Sequence, residues 1–111
     1  MKAPTETALV KACLQLLQLR RIPAWRQNSG CATFGAGGKR RFVRFAVEGC
    51  ADILGVLPPS GRLLAVEVKR EGGKLTPAQV AFLDNVRDAG GLAVVAHGVD
   101  DLAEALRQAG L

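Results

Sequence analysis

Apolar residues recur along this chain with two different periods, and the switches between them mark the elements. Pro4-Thr5-Glu6 reads as a helix start with Thr5 as N-cap; Val10, Leu14 and Leu17 then recur at helical spacing, and Cys13 and Leu16 widen the stripe. This first helix should end near Arg21, before Pro23. Residues 22–28 read as a short strand or extended segment, and Gly30, Gly35, Gly37 and Gly38 make residues 30–39 an expected mobile loop. Arg41 to Val47 alternates over part of its length as a strand does. Asp52 to Leu57 and Arg62 to Lys69 are strands on either side of a Pro58-Pro59-Ser60-Gly61 turn. Thr76-Pro77-Ala78-Gln79 opens a helix with N-cap, proline at its first position and glutamine at its third. Phe82, Leu83 and Val86 form its apolar stripe, and Gly90-Gly91 ends it. Leu92 to Ala96 is a further strand, after which Asp100 should cap a last helix carrying Leu102 and Leu106. The order of helix, strands, helix, strand, helix predicts an α/β domain. Residues 62–96 should form a right-handed crossover between parallel strands.

Composition narrows the class. The chain of 111 residues suits one domain over 1–111, with no repeat and no linker. Hydrophobic residues are 49% and aromatics 5%, so Leu, Val and Ala must build the core. No apolar run approaches the roughly 18 residues of a membrane span, and the first residues lack a signal-peptide segment. The expectation is a soluble, cytoplasmic protein without a membrane partner. Cys13, Cys31 and Cys50 are odd in number and widely spaced, which supports neither a disulfide framework nor a zinc site. The net charge of +5 suits a polyanionic partner. The cations cluster as Arg20, Arg21 and Arg26, and again as Lys39, Arg40, Arg41 and Arg44, whereas acids concentrate later.

The hairpin carries the chemistry. If Pro58 stands opposite Gly61, Val56 faces Leu63, Leu54 faces Ala65 and Asp52 faces Glu67. All six share one face of the sheet. Lys69, two residues beyond Glu67, joins them. Opposed carboxylates repel. A divalent cation between them removes that conflict, and the Val68 carbonyl offers another oxygen ligand. Lys69 would then orient or deprotonate the attacking water in phosphodiester hydrolysis. The alternative is that Glu67 and Lys69 are a solvated pair at a strand end. Against it, the segment Val66-Glu67-Val68-Lys69 continues an apolar strand of the kind buried on both faces.

Gly49-Cys50-Ala51-Asp52, followed by Glu67-Val68-Lys69 on the next strand, resembles the active-site pattern of the PD-(D/E)XK nuclease superfamily. Together with Trp25-Arg26-Gln27-Asn28-Ser29-Gly30 and Gly73-Lys74-Leu75-Thr76-Pro77-Ala78-Gln79, it is most similar to the VRR-NUC branch, the virus-type replication–repair nucleases. The likeness covers nearly the whole chain. It implies a restriction-endonuclease-like fold, a mixed β-sheet flanked by α-helices. It implies Asp52 and Glu67 as metal ligands for Mg2+ or Mn2+, Lys69 as catalytic lysine, Glu6 as a further ligand and Gln79 as an active-site glutamine. The superfamily's proline before the aspartate is Ala51 here, as is usual in this branch. It also implies branched or structured DNA as substrate, a homodimer, and action in the cytoplasm of a bacterial or phage-infected cell.

Each of these residues also has a plainer reading. Glu6 suits the positive end of its helix, and Gln79 suits a capping box with Thr76. Trp25 is more often a core residue than a base-stacking platform. Arg26, Asn28 and Ser29 lead into a glycine-rich segment, which fits either phosphate contact or ordinary turn chemistry. The stretch Gly35-Ala36-Gly37-Gly38-Lys39-Arg40 lacks the final Ser or Thr of a P-loop, and reads instead as a basic arm whose Lys39, Arg40 and Arg41 meet a nucleic-acid backbone. His97, the only histidine, reads as a surface loop residue. Two rivals to an endonuclease remain open in the sequence: a non-catalytic nucleic-acid-binding module, and a subunit of a larger replication complex that binds no metal.

Overall fold

The computed structural model describes residues 3–27, 31–34, 41–44 and 47–111. In chain order the elements are α1 (Glu6–Leu19), β1 (Ala24–Arg26), β2 (Cys31–Phe34), β3 (Arg41–Arg44), β4 (Ile53–Leu57), β5 (Arg62–Val68), α2 (Pro77–Asp88), β6 (Leu92–Ala96) and α3 (Val99–Gln108). Four strands form a mixed sheet in the order β1-β4-β5-β6, and β2 and β3 form a separate antiparallel pair. β4 runs antiparallel to both β1 and β5, whereas β5 and β6 are parallel, as a strand–helix–strand crossover requires.

The alternation of side chains along each strand sorts the core into two layers. Leu64, Val66 and Val68 of β5 point one way, with Ile53, Leu57 and Val94, and pack against Val10, Cys13 and Leu17 of α1 and Leu102 and Leu106 of α3. Ala65 and Ala93 point the other way, with Leu54 and Val95 beside them, and meet Leu83, Val86 and Phe82 of α2. The chain is therefore an open α/β sheet with two helices on one face and one on the other. β5 is central, and all of Leu64 to Val68 is buried.

Helix starts behave as their sequences require, with one exception. The Thr5 side chain accepts the Ala8 N–H at 3.0 Å. Thr76 forms a complete capping box: its hydroxyl accepts the Gln79 N–H at 3.2 Å, and the Gln79 side-chain oxygen accepts the Thr76 N–H at 2.9 Å. The exception is α3. Asp100 is not its cap; Gly98 holds that position without a side-chain bond, and the helix starts at Val99. Asp101 instead accepts the His97 N–H at 2.8 Å, so the acid that ties down this turn is one residue further along.

The expectation of a loop over 30–39 is also corrected. Cys31–Phe34 is a strand that pairs with Arg41–Arg44, from Cys31 opposite Arg44 to Phe34 opposite Arg41. Cys-Ala-Thr-Phe ends in strand-favouring residues, and the glycines weigh only on the segment after Phe34. Residues 35–40 lie outside the described residues. The strand expected over Arg41 to Val47 is described only as far as Arg44. No described helix is long and apolar enough to cross a membrane. Cys13 and Cys50 are buried free thiols.

Two glycines at positive φ separate strain from space. Gly61, at φ +80 in the hairpin turn, has open surroundings. Gly49, at φ +75, lies so close to the first turn of α2 that a Cβ would come within 2.3 Å of the Ala78 carbonyl oxygen. Gly61→Ala should therefore cost about 1–2 kcal/mol, the left-handed penalty alone. Gly49→Ala should cost clearly more, because the backbone of α2 must also move. Urea unfolding of the two variants measures the difference, and equal costs would show that the turn does not rest on α2.

Candidate active site

The hairpin register is the one the turn dictates: Leu54 opposes Ala65, Ile53 opposes Val66 and Val56 opposes Leu63. Asp52 stands just before the ladder begins. Its main-chain carbonyl accepts the Gln27 N–H at 2.7 Å, which extends the β1–β4 pairing by one bond. Its carboxylate turns the other way, and Oδ2 accepts the Val68 N–H at 2.8 Å. A side-chain oxygen thus takes over from the main-chain partners of β5 where β4 ends, and it carries the Asp52 charge toward Glu67.

Glu67 is the sole buried charged or polar residue among those described, with 2% of its surface exposed. Oε1 accepts a hydrogen bond from Gln79 Nε2 at 3.0 Å and lies 3.8 Å from Lys69 Nζ. Oε2 is buried without a hydrogen-bond partner. A buried carboxylate oxygen without a donor costs free energy, so the group resists ionisation. Burial is the largest cause that pushes the Glu67 pKa up, to about 7, and the Asp52 charge acts in the same direction. Lys69 opposes the shift.

Gln79 holds its place for two reasons at once. Its oxygen is committed to the Thr76 N–H, which leaves its nitrogen, a donor, aimed at Glu67. The capping box therefore sets which end of the amide faces the carboxylate. Gly49 allows the turn before Asp52 to close on this same helix start, a contact for which the residues Gly49-Cys50-Ala51-Asp52 give no spatial signal. Cys50 is buried next to the pair; burial raises its thiol pKa first, and the charge of Glu67 next.

Glu6, in the first turn of α1, accepts the Arg70 N–H through Oε2 at 3.2 Å, which ties the helix start to the end of β5. It does not complete a cluster: no group of three or more His, Cys, Asp or Glu side chains is gathered among the described residues. Arg26 is exposed at the end of β1. Asn28, Ser29, Lys39 and Arg40 lie outside the described residues, and Arg41 and Arg44 are described only as the two ends of β3. His97 is half exposed after β6, its Nδ1 3.3 Å from Asp101, as a surface position requires. Trp25 is not a core residue: 46% of it is exposed on β1.

The model of the VRR-NUC domain family matches residues 5–100, a stretch that runs from the N-cap of α1 into α3 and includes Asp52, Glu67, Lys69 and Gln79. A comparison with curated proteins gives no match.

The electrostatics make a prediction for the metal-free protein. Because folding raises the Glu67 pKa, its contribution to stability is full below about 4.5, falls as pH rises, and is lost above about 7. Asp52→Asn keeps an acceptor for the Val68 N–H but removes the charge that opposes Glu67 ionisation. In chelator at pH 8 this variant should be more stable than the parent by about 1 kcal/mol, the worth of one pKa unit. At pH 5, where Glu67 is protonated in the fold, the gap should close. Asp52→Ala also loses the acceptor and should fall about 1 kcal/mol below Asp52→Asn. Thermal melts at both pH values test this; a destabilised Asp52→Asn at pH 8 would contradict the proximity of the two charges.

Proposed function

The chain belongs to the VRR-NUC domain family, a nuclease-type domain, and we propose that it is a metal-dependent endonuclease that hydrolyses phosphodiester bonds in structured or branched DNA. The observation that carries this reading is the buried, unpartnered Oε2 of Glu67 beside a second carboxylate. A fold gains nothing by setting a second, partly exposed acid against a buried one unless something positive completes them.

The donor set fits a hard divalent cation, Mg2+ or Mn2+: two carboxylates, with the Val68 carbonyl as a further oxygen and Glu6 within reach of the end of β5. When bound, the cation would supply Lewis-acid stabilisation of charge developing on the phosphate. The chain's own residues do the rest. Gln79 takes one oxygen of Glu67 and leaves the other free to ligate. Lys69, with 15% of its side chain exposed, stands on the solvent side of Glu67 and holds or moves a proton at the attacking water. Arg26, Asn28, Ser29, Lys39, Arg40, Arg41 and Arg44 are proposed to grip the DNA backbone, in keeping with the net charge of +5. A domain of this size offers little surface for a branched duplex, and a homodimer, measurable by sedimentation, would double it. Residues 1–111 would act as one functional unit.

The direct test is cleavage of a panel of flap, junction and linear DNAs with magnesium, manganese or chelator. Activity should require the cation. Asp52→Ala, Glu67→Ala and Lys69→Ala should each lower it on the order of a hundredfold or more while sparing DNA binding in chelator. Full activity in any one of them removes that residue from the mechanism. A separate measurement concerns the basic segment. Replacing Lys39, Arg40 and Arg41 together should weaken binding to all sequences and flatten its salt dependence by about 0.9 per lost phosphate contact on a duplex. An unchanged slope would show that these residues do not meet the backbone.

A further inference from the structure

Trp25 is a large aromatic ring that the core leaves exposed, and its position relates it to the candidate active site. It lies on β1, an edge strand, and pairs with Leu54, two residues from Asp52. Its neighbour but one, Gln27, donates its main-chain N–H to the Asp52 carbonyl. Residues two apart on a strand share a face and lie about 7 Å apart along it. Trp25, Gln27, Leu54 and Val56 are thus on the face that carries α2. That helix packs mainly over β5 and β6, so the β1 and β4 side is less covered, with Val56 of β4 40% exposed.

The ring is exposed but not free. Its Nε1–H donates to Gln27 Oε1 at 3.1 Å, which fixes the plane of the indole. A pinned exposed ring has already lost the rotamer freedom that binding would otherwise cost. Arg20, Arg21 and Arg26 are exposed in the adjoining sequence, Arg26 on the opposite face of β1 from the ring. An exposed aromatic ring held in a fixed plane complements the flat apolar face of a nucleobase.

We propose that Trp25 stacks an unpaired nucleobase of the DNA substrate next to the scissile phosphate, with Gln27 as the positioning residue that holds the ring. The proposal rests on the nuclease reading and adds to it a substrate feature: an unpaired base beside the cut.

The chain has one tryptophan and no tyrosine, so its near-ultraviolet-excited emission comes from Trp25. In chelator, oligothymidylate should quench that emission, and a blunt duplex of equal length should do so far less. By anisotropy of a labelled strand, Trp25→Ala should bind single-stranded DNA about tenfold more weakly, and Trp25→Phe should keep most of the affinity. Gln27→Ala should reduce the quenching amplitude, and Gln27→Glu, which retains the acceptor for the indole N–H, should restore it. If Trp25→Ala does not fold, as judged by circular dichroism, quenching in the parent and the affinity of Trp25→Phe decide. Unchanged emission from a parent that still binds and cleaves DNA overturns this proposal alone. A parent that neither binds nor cleaves any DNA overturns the nuclease reading as well. An emission change on raising protein concentration without DNA assigns the edge of β1 to a second copy of this chain, and also overturns the proposal.

Discussion

A carboxyl group inside a protein must be hydrogen-bonded, paired or protonated, and Glu67 is only partly any of these. Gln79 satisfies one oxygen, Lys69 stands 3.8 Å away, and the second oxygen has no donor. Placing Asp52 alongside makes the arrangement costlier still. The rest of the architecture supports this one group. β5 must be central to bury it, the hairpin must keep its register to bring Asp52 up, and α2 must start where Gln79 reaches it. A one-residue slip in that hairpin would turn Glu67 to the opposite face, among the residues that meet α1 and α3.

The link between helix capping and carboxylate orientation is the least expected part of the site. A glutamate at the position of Gln79 would close the same capping box, since either side chain accepts the N-cap N–H. Only the amide has a donor left over for Glu67. A residue that looks like local helix chemistry in the sequence therefore serves a contact twelve residues away, and neither role excludes the other. Gly49 belongs with it, because the turn before Asp52 and the first turn of α2 are in backbone contact.

Much of this is legible in the sequence, for physical reasons that differ by element. The Pro-Pro-Ser-Gly turn fixes the register by itself, so the pairing of β4 with β5 follows from four residues. The capping residues of α1 and α2 are read directly, because a cap bond is local. Elsewhere the local signal misleads. At α3 two successive aspartates offer alternative caps, and the turn after His97 takes the second. At Cys31–Phe34 the neighbouring glycines outweigh a strand whose partner is Arg41–Arg44. Pairing across an intervening segment leaves little local trace. Trp25 reads as core because composition says nothing of where a helix stops covering a sheet. The unpartnered state of Glu67 Oε2 is beyond the reach of sequence, since it depends on what is missing around one atom.

The hydrogen bond from the Val68 N–H to Asp52 has a spectroscopic consequence. That amide sits at the end of a buried central strand, and its acceptor is a carboxylate that also belongs to the proposed cation site. The proton is protected from solvent as long as the carboxylate remains turned toward the strand. Its chemical shift and exchange rate therefore register how Asp52 divides its two oxygens between the protein and whatever binds beside it. The backbone of β5 thus contains a label-free gauge of the state of the site, one that needs neither substrate nor turnover to be read.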